Sequence, residues 1–150
     1  MYEWLCKHLQ KAGFLHYEVS NWAVPNYECR HNQRYWKQKD YLGLGLGAHS
    51  IVNDEMWENQ KNFADYLKNP LPIIHEIKMD RGLQLNESIM LSLRTPKGIQ
   101  RKKYLGDFNQ LQKRAKTFEE TEHLKITENK IQTTEKGFLI VDAITRKLII

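Results

Sequence analysis

Cysteine is scarce in this chain, and its placement excludes the commonest metal chemistries. Among 150 residues there are two, Cys6 and Cys29. They are too few and too far apart for a zinc or iron–sulfur cluster. Parity would allow a disulfide, but nothing else has a secreted character, so both read as reduced. Long hydrophobic runs are missing too. The longest candidate, Phe138 to Val141, stops at Asp142, far short of the roughly 20 residues a spanning helix needs. The segment Met1-Tyr-Glu-Trp-Leu-Cys6 has no basic stretch followed by an apolar one, which argues against a secretory signal. These absences point to a cytoplasmic protein without a membrane-spanning segment. There is no Ser/His/Asp arrangement with supporting context and no phosphate-loop lysine, so no catalytic residue is nominated.

What is present supports a packed core. Apolar residues make up 41% of the chain and charged residues 27%, a balance that does not suggest disorder. The net charge of +5 is mild. It permits an anionic partner, a carboxylated ligand or a nucleic acid, without requiring one.

Periodicity predicts a helix over Met1 to Ala12, stopped at Gly13. Phe14 to Ser20 reads as a strand, Ser20 to Glu28 as a loop, and His31 to Gln38 as a short helix. Tyr41 to Ile51 reads as a glycine-punctuated strand ending in an Asn53-Asp54 turn. A short helix over Asn62 to Lys68 is followed by Asn69-Pro-Leu-Pro72, which reads as a domain boundary. Beyond it, Leu85 to Leu93 is amphipathic, with Asn86 as a candidate cap. Phe108 to Glu122 is a second helix. Leu124–Thr127 and Lys130–Thr133 alternate as a hairpin, and Thr134 can cap one final helix carrying Phe138, Val141, Ile144 and Leu148. Two helices, a hairpin and a helix make a winged-helix-like arrangement.

The richest segment is Cys29-Arg-His-Asn-Gln-Arg-Tyr-Trp36. On a helix, His31 and Tyr35 share one face, Asn32 and Trp36 the next, and Arg30 and Arg34 are four apart. An imidazole can ligate iron, an indole can stack, and guanidinium groups can pair with carboxylates. That set suits a flat anionic macrocycle, although a half-buried helix with a hydrogen-bonded histidine would show the same pattern. Tyr41-Leu-Gly-Leu-Gly-Leu-Gly-Ala48 has glycine spacing reminiscent of a dinucleotide fingerprint, but His49-Ser-Ile-Val52 does not open a helix. Bare backbone there would let a ligand ring or a neighbouring strand come close.

Three pieces together carry a resemblance: Tyr17-Glu-Val-Ser-Asn-Trp-Ala23, Arg30-His-Asn-Gln-Arg-Tyr-Trp36 and Tyr41-Leu-Gly-Leu-Gly-Leu-Gly-Ala-His-Ser50. They resemble the last barrel segments of the HemW proteins, radical-SAM heme chaperones related to oxygen-independent coproporphyrinogen III oxidase (HemN). Glu87-Ser-Ile-Met-Leu-Ser-Leu-Arg94 and Leu124 through Leu148 resemble the family's C-terminal domain. The resemblance implies an α/β fold: the C-terminal strands and helices of a partial radical-SAM barrel over residues 1–70, then a small winged-helix-like α+β domain over 71–150. It implies heme binding by His31, Asn32, Tyr35 and Trp36, with Arg30 and Arg34 beside them and His31 as the iron ligand. It places an S-adenosylmethionine pocket at Gly45, Gly47, Ala48 and His49. The implied partners are heme and a heme-accepting protein, with room for a homodimer.

The family's C-x-x-x-C-x-x-C motif does not occur here. The [4Fe–4S] cluster would therefore need ligands from outside this sequence, and the fragment should be inactive in radical chemistry by itself. The usual Gly-Leu step before the wing is His123-Leu124. Two other functions stay open: part of the oxidase, acting in porphyrin biosynthesis, and a winged-helix nucleic-acid module using Lys113, Arg114 and Lys116, the less favoured of the two.

Overall fold

The structure, a computed structural model, describes residues 1–53, 55–69 and 73–149. The expected turn residue Asp54 and the expected boundary residues Pro70, Leu71 and Pro72 lie outside them.

The chain is of mixed α/β class. Helix α1 (Tyr2–Lys11) leads through Gly13 to β1 (Leu15–Glu18). The stretch expected to be a loop instead contains β2 (Asn21–Ala23), paired antiparallel to β1. Trp22 makes that pairing worthwhile, because its ring stacks on His16 across the hairpin at 4.3 Å between centroids. The short helix α2 (Arg30–Trp36) follows as expected.

The glycine-punctuated strand expected from Tyr41 to Ile51 forms only at its C-terminal end. Only Tyr41 bridges, to Ile51, and the residues between fold back as a loop before β3 (His49–Val52). A strand buried on one face would have to alternate, and Leu42, Leu44 and Leu46 would fill that face. All three are exposed. Two strands that short-range reading missed, β4 (Glu55–Asn59) and β5 (Ile73–Lys78), join β3 in a three-stranded antiparallel sheet. Between them lies α3 (Phe63–Lys68), capped by Asn62.

The main core belongs to the C-terminal half. Helix α4 (Arg81–Leu93) starts five residues before the predicted cap, Asn86, because Asp80 accepts from the Leu83 amide at 2.8 Å and caps it. Strand β6 (Ile99–Gln100), also missed, pairs with β8 (Lys130–Thr133), which pairs with β7 (Leu124–Thr127). Helix α5 (Phe108–Glu120) lies against this sheet, its Asp107 cap accepting from Asn109 and Gln110. The expected last helix is broken. Thr134 caps α6 (Glu135–Phe138), and after Leu139 and Ile140 the chain restarts as α7 (Val141–Leu148). The break lets Phe138 reach the His16 ring while Val141, Ile144 and Leu148 enter the main core. Ile89, Leu93, Leu111, Ala115, Ile131, Ile144 and Leu148 are its fully enclosed members. The departure at His123-Leu124 is absorbed one residue earlier, where Glu122 takes a φ of +63°.

The N-terminal half reaches this core at few points. The Val19 amide donates to the Arg94 carbonyl at 2.8 Å. More telling is Glu18, a carboxyl group with 1% exposure. A bulge between His16 and Glu18 accompanies its inward placement. Asn21 and Asn32 donate to one of its oxygens and the Trp36 indole to the other. This carboxyl clamps α2, seven residues long and too short to persist alone, onto the β1–β2 hairpin.

Two stability outcomes are expected. Glu18→Gln presents an amide donor to donors already in place, and should lower the unfolding free energy of the full-length protein by about 2 kcal/mol despite its equal size. An unchanged denaturant midpoint would remove the clamp. Asp107→Ala should cost about 1 kcal/mol, read as a fall in melting temperature by circular dichroism.

Candidate functional site

Helix α2 presents three faces, and the structure sends the six residues singled out on it in different directions. Asn32 and Trp36 point inward and give their N–H groups to Glu18. They are the helix's attachment to the hairpin. Both side chains therefore spend these N–H groups on the scaffold.

His31 and Tyr35 occupy a second face. The Tyr35 hydroxyl lies 2.7 Å from His31 Nε2, and the rings meet edge to face at 4.9 Å. Tyr35 is held on its other side by Tyr41, again edge to face at 4.5 Å. Tyr41 is fixed by both of its backbone hydrogen bonds to Ile51. The result is a row of three rings ending in an exposed imidazole. With Nε2 occupied by the phenol, Nδ1 is the nitrogen left to solvent or to a ligand. Sequence reading missed Tyr41, because it took the residue as the start of a strand.

Beside this row is a cavity of about 240 Å³, walled by Tyr35, Tyr41, Leu85, Leu91 and Leu105. Glu87 of α4 also lines it. Burial pushes the Glu87 carboxyl above the ordinary carboxylate range. Burial first, then the charge of Glu87, raises the Tyr41 phenol.

The third face carries Arg30 and Arg34. Both line a larger groove of about 770 Å³, together with Tyr17, Lys37, one edge of Trp36 and Lys97 of the α4–β6 connection. Arg34 also donates to the Asp40 carbonyl at 2.6 Å.

The residues expected at the S-adenosylmethionine pocket sit on the loop between Tyr41 and β3. Gly43 lies so close to β3 that a Cβ there would meet the His49 carbonyl at 2.1 Å, so the near approach is made by the chain itself. The Gly43 amide donates to the buried Ser50 hydroxyl at 2.9 Å. Asn59 donates to the carbonyls of Gly43 and Gly45 at 3.3 and 2.9 Å. Gly45 and Gly47 take φ values of +105° and +62°. The Gly47 amide is engaged by the Gln60 carbonyl and the Ala48 amide by the Gly45 carbonyl. His49 Nε2 contacts the Glu58 carboxyl at 3.0 Å. Gly45, Gly47, Ala48 and His49 thus stay together, and each already has a partner within the chain.

Cys6 is buried and Cys29 exposed, and neither fits an iron–sulfur cluster. Among the described residues, no three His, Cys, Asp or Glu side chains are placed to share a metal ion. On α5, Lys113 is exposed, Arg114 donates to the Ile149 carbonyl at 3.5 Å, and Lys116 pairs with Glu119 at 2.8 Å. No described helix is long and apolar enough to cross a membrane.

No protein-family model matches the chain. Curated proteins do. The heme chaperone HemW of Lactococcus lactis is 30% identical across 100% of this chain and 41% of its own length. The heme chaperone HemW of Mycobacterium tuberculosis is 32% identical across 99% of the chain and 38% of its own length. The chain thus spans about two fifths of the length of these relatives. The HemW of Escherichia coli is 50% identical over 44 residues, 29% of the chain and 12% of that protein. Among solved structures, the coproporphyrinogen III oxidase HemN of Escherichia coli, described as a radical SAM enzyme, superimposes with a TM-score of 0.72. It shares 18% identity over 98% of this chain and 39% of its own, a likeness of fold. Relatives that match this chain throughout and a shared fold lead to one conclusion: the chain belongs to the HemW/HemN-like family and corresponds to the C-terminal portion of its members.

Proposed function

We propose that the full-length protein binds heme through His31 and passes it to an acceptor protein. The observation that carries this reading is the exposed imidazole at the end of the Tyr41–Tyr35–His31 row. A histidine that ligates iron needs one nitrogen free and the other oriented by a partner. His31 has both, with Tyr35 as the orienting group. Arg30 and Arg34, on the neighbouring face, suit the carboxylates of a heme edge. Asn32 and Trp36 contribute by holding the helix in place. Heme is cargo in this reading, and its delivery needs it to leave again, which an exposed single ligand favours over an enclosed site. S-adenosylmethionine and a [4Fe–4S] cluster belong to the full-length family member, the cluster on ligands outside this sequence. The loop Gly45 to His49 would meet S-adenosylmethionine by groups other than the Gly47 and Ala48 amides.

The fold likeness to HemN favours a second reading, decarboxylation of coproporphyrinogen by a radical route. Turnover of coproporphyrinogen by full-length protein under anaerobic, reducing conditions would replace the chaperone reading with this one. The nucleic-acid reading has less support, since Arg114 and Lys116 are engaged within the chain.

Titration of full-length protein with hemin should give a Soret shift that His31→Ala abolishes or moves. An identical affinity and band would remove His31 as the ligand. Tyr35→Phe keeps the ring row but frees Nε2, and should weaken hemin binding about tenfold. No change would confine Tyr35 to packing.

A further inference from the structure

The groove on the third face of α2 holds more positive charge than the motif on that helix supplies. Arg30 and Arg34 line it, and so do Lys37, Lys39 and Lys97. The first four come from α2 and the turn that follows it. Lys97 comes from the α4–β6 connection, more than fifty residues later in the chain. Glu28 is the one acidic residue among those lining the groove. Among the described residues, no ion pair or side-chain hydrogen bond engages Lys37, Lys39 or Lys97. Like charges gathered along one concavity repel one another, so leaving them uncompensated costs stability unless an anion fills the space.

The walls are not uniformly polar. Leu15, Tyr17, Trp36 and Pro96 supply apolar and aromatic surface. Trp36 cannot turn away, because its indole nitrogen is bound to Glu18. At about 770 Å³ the groove falls within the range of ligand pockets, roughly 300–1,000 Å³. A ligand suited to it has a flat apolar body and more than one carboxylate at its edge.

We propose that this groove is a polycarboxylate site, in which Lys37, Lys39 and Lys97 join Arg30 and Arg34 to receive the carboxylates of a tetrapyrrole. The inference rests on the heme reading and deepens it. His31 then governs the iron, and the groove governs which porphyrins are held. The lysines are point charges that tolerate varied carboxylate positions, whereas the arginines favour paired contacts. A ligand without carboxylates would keep its iron ligand and lose the groove.

The test compares hemin with its dimethyl ester on full-length protein, by absorbance titration at two salt concentrations. Wild type should bind hemin about tenfold more tightly than the diester, and added salt should shrink that advantage. The double variant Lys37→Glu/Lys97→Glu should lose about tenfold in hemin affinity, leave the diester unaffected and keep the Soret position. Both lysines are exposed, so the variant should fold, and matching circular dichroism and melting temperature would verify that. Equal binding of hemin and diester by wild type, or equal weakening of both by the variant, overturns the groove while leaving His31 as ligand. Binding of neither porphyrin overturns both readings. If a polyglutamate peptide binds this groove but hemin discriminates nothing, the site serves an acidic protein instead and the proposal fails.

Discussion

A carboxyl group enclosed beneath a short helix is what the N-terminal half of this chain is organised around. Glu18 accepts N–H groups from Asn21, Asn32 and Trp36. Each donor comes from a different part of the motif region: the start of β2 and two successive turns of α2. A buried polar group left unpaired is costly, so the arrangement is close to all-or-none. Once it forms, the rotation of α2 about its axis is set. His31 and Tyr35 must then face Tyr41, and Arg30 and Arg34 must face the groove shared with Lys97.

The two halves of the chain draw on different physics. The C-terminal half has a contiguous apolar core built from α4, α5, α7 and the β6–β8–β7 sheet. The N-terminal half has little such core and relies on directed contacts: the Glu18 clamp, the stacked His16 and Trp22, and the Ser50 and Asn59 bonds that shape the glycine loop. Directed contacts fix side-chain directions more sharply than apolar packing does. A ligand site built on such a half gains orientation without needing burial. The exposed leucines of the glycine loop, Leu44 at 85% above all, show the same half presenting apolar surface rather than enclosing it. The chain spans about two fifths of the length of its curated relatives.

Local chemistry made much of this legible in the sequence. Helices α1, α2, α3 and α5, the β7–β8 hairpin and the cap at Thr134 follow from periodicity and capping alone. So did the grouping of His31 with Tyr35, since spacing of four puts them on one face whatever the tertiary context. The family followed from three short motifs, because their combination is far more specific than any one of them.

Packing decided the rest. The apolar glycine run looked like a strand, but Gly43 presses on the His49 carbonyl and the chain turns back on itself. Strands β2, β4 and β5 have weak local signals and exist because neighbouring strands complete their hydrogen bonds, β1 for β2, and β3 and β5 for β4. The last helix is split at Leu139 and Ile140 because its two ends serve different neighbours. No spacing rule could foresee that Asn32 and Trp36 would turn inward to a carboxyl more than ten residues away, or that Lys97 would arrive beside Arg30. The sequence by itself determined which side chains share a helical face. Only the tertiary structure decided which face is buried, which is offered to a ligand and which charges meet across the groove, because those choices depend on contacts between segments far apart along the chain.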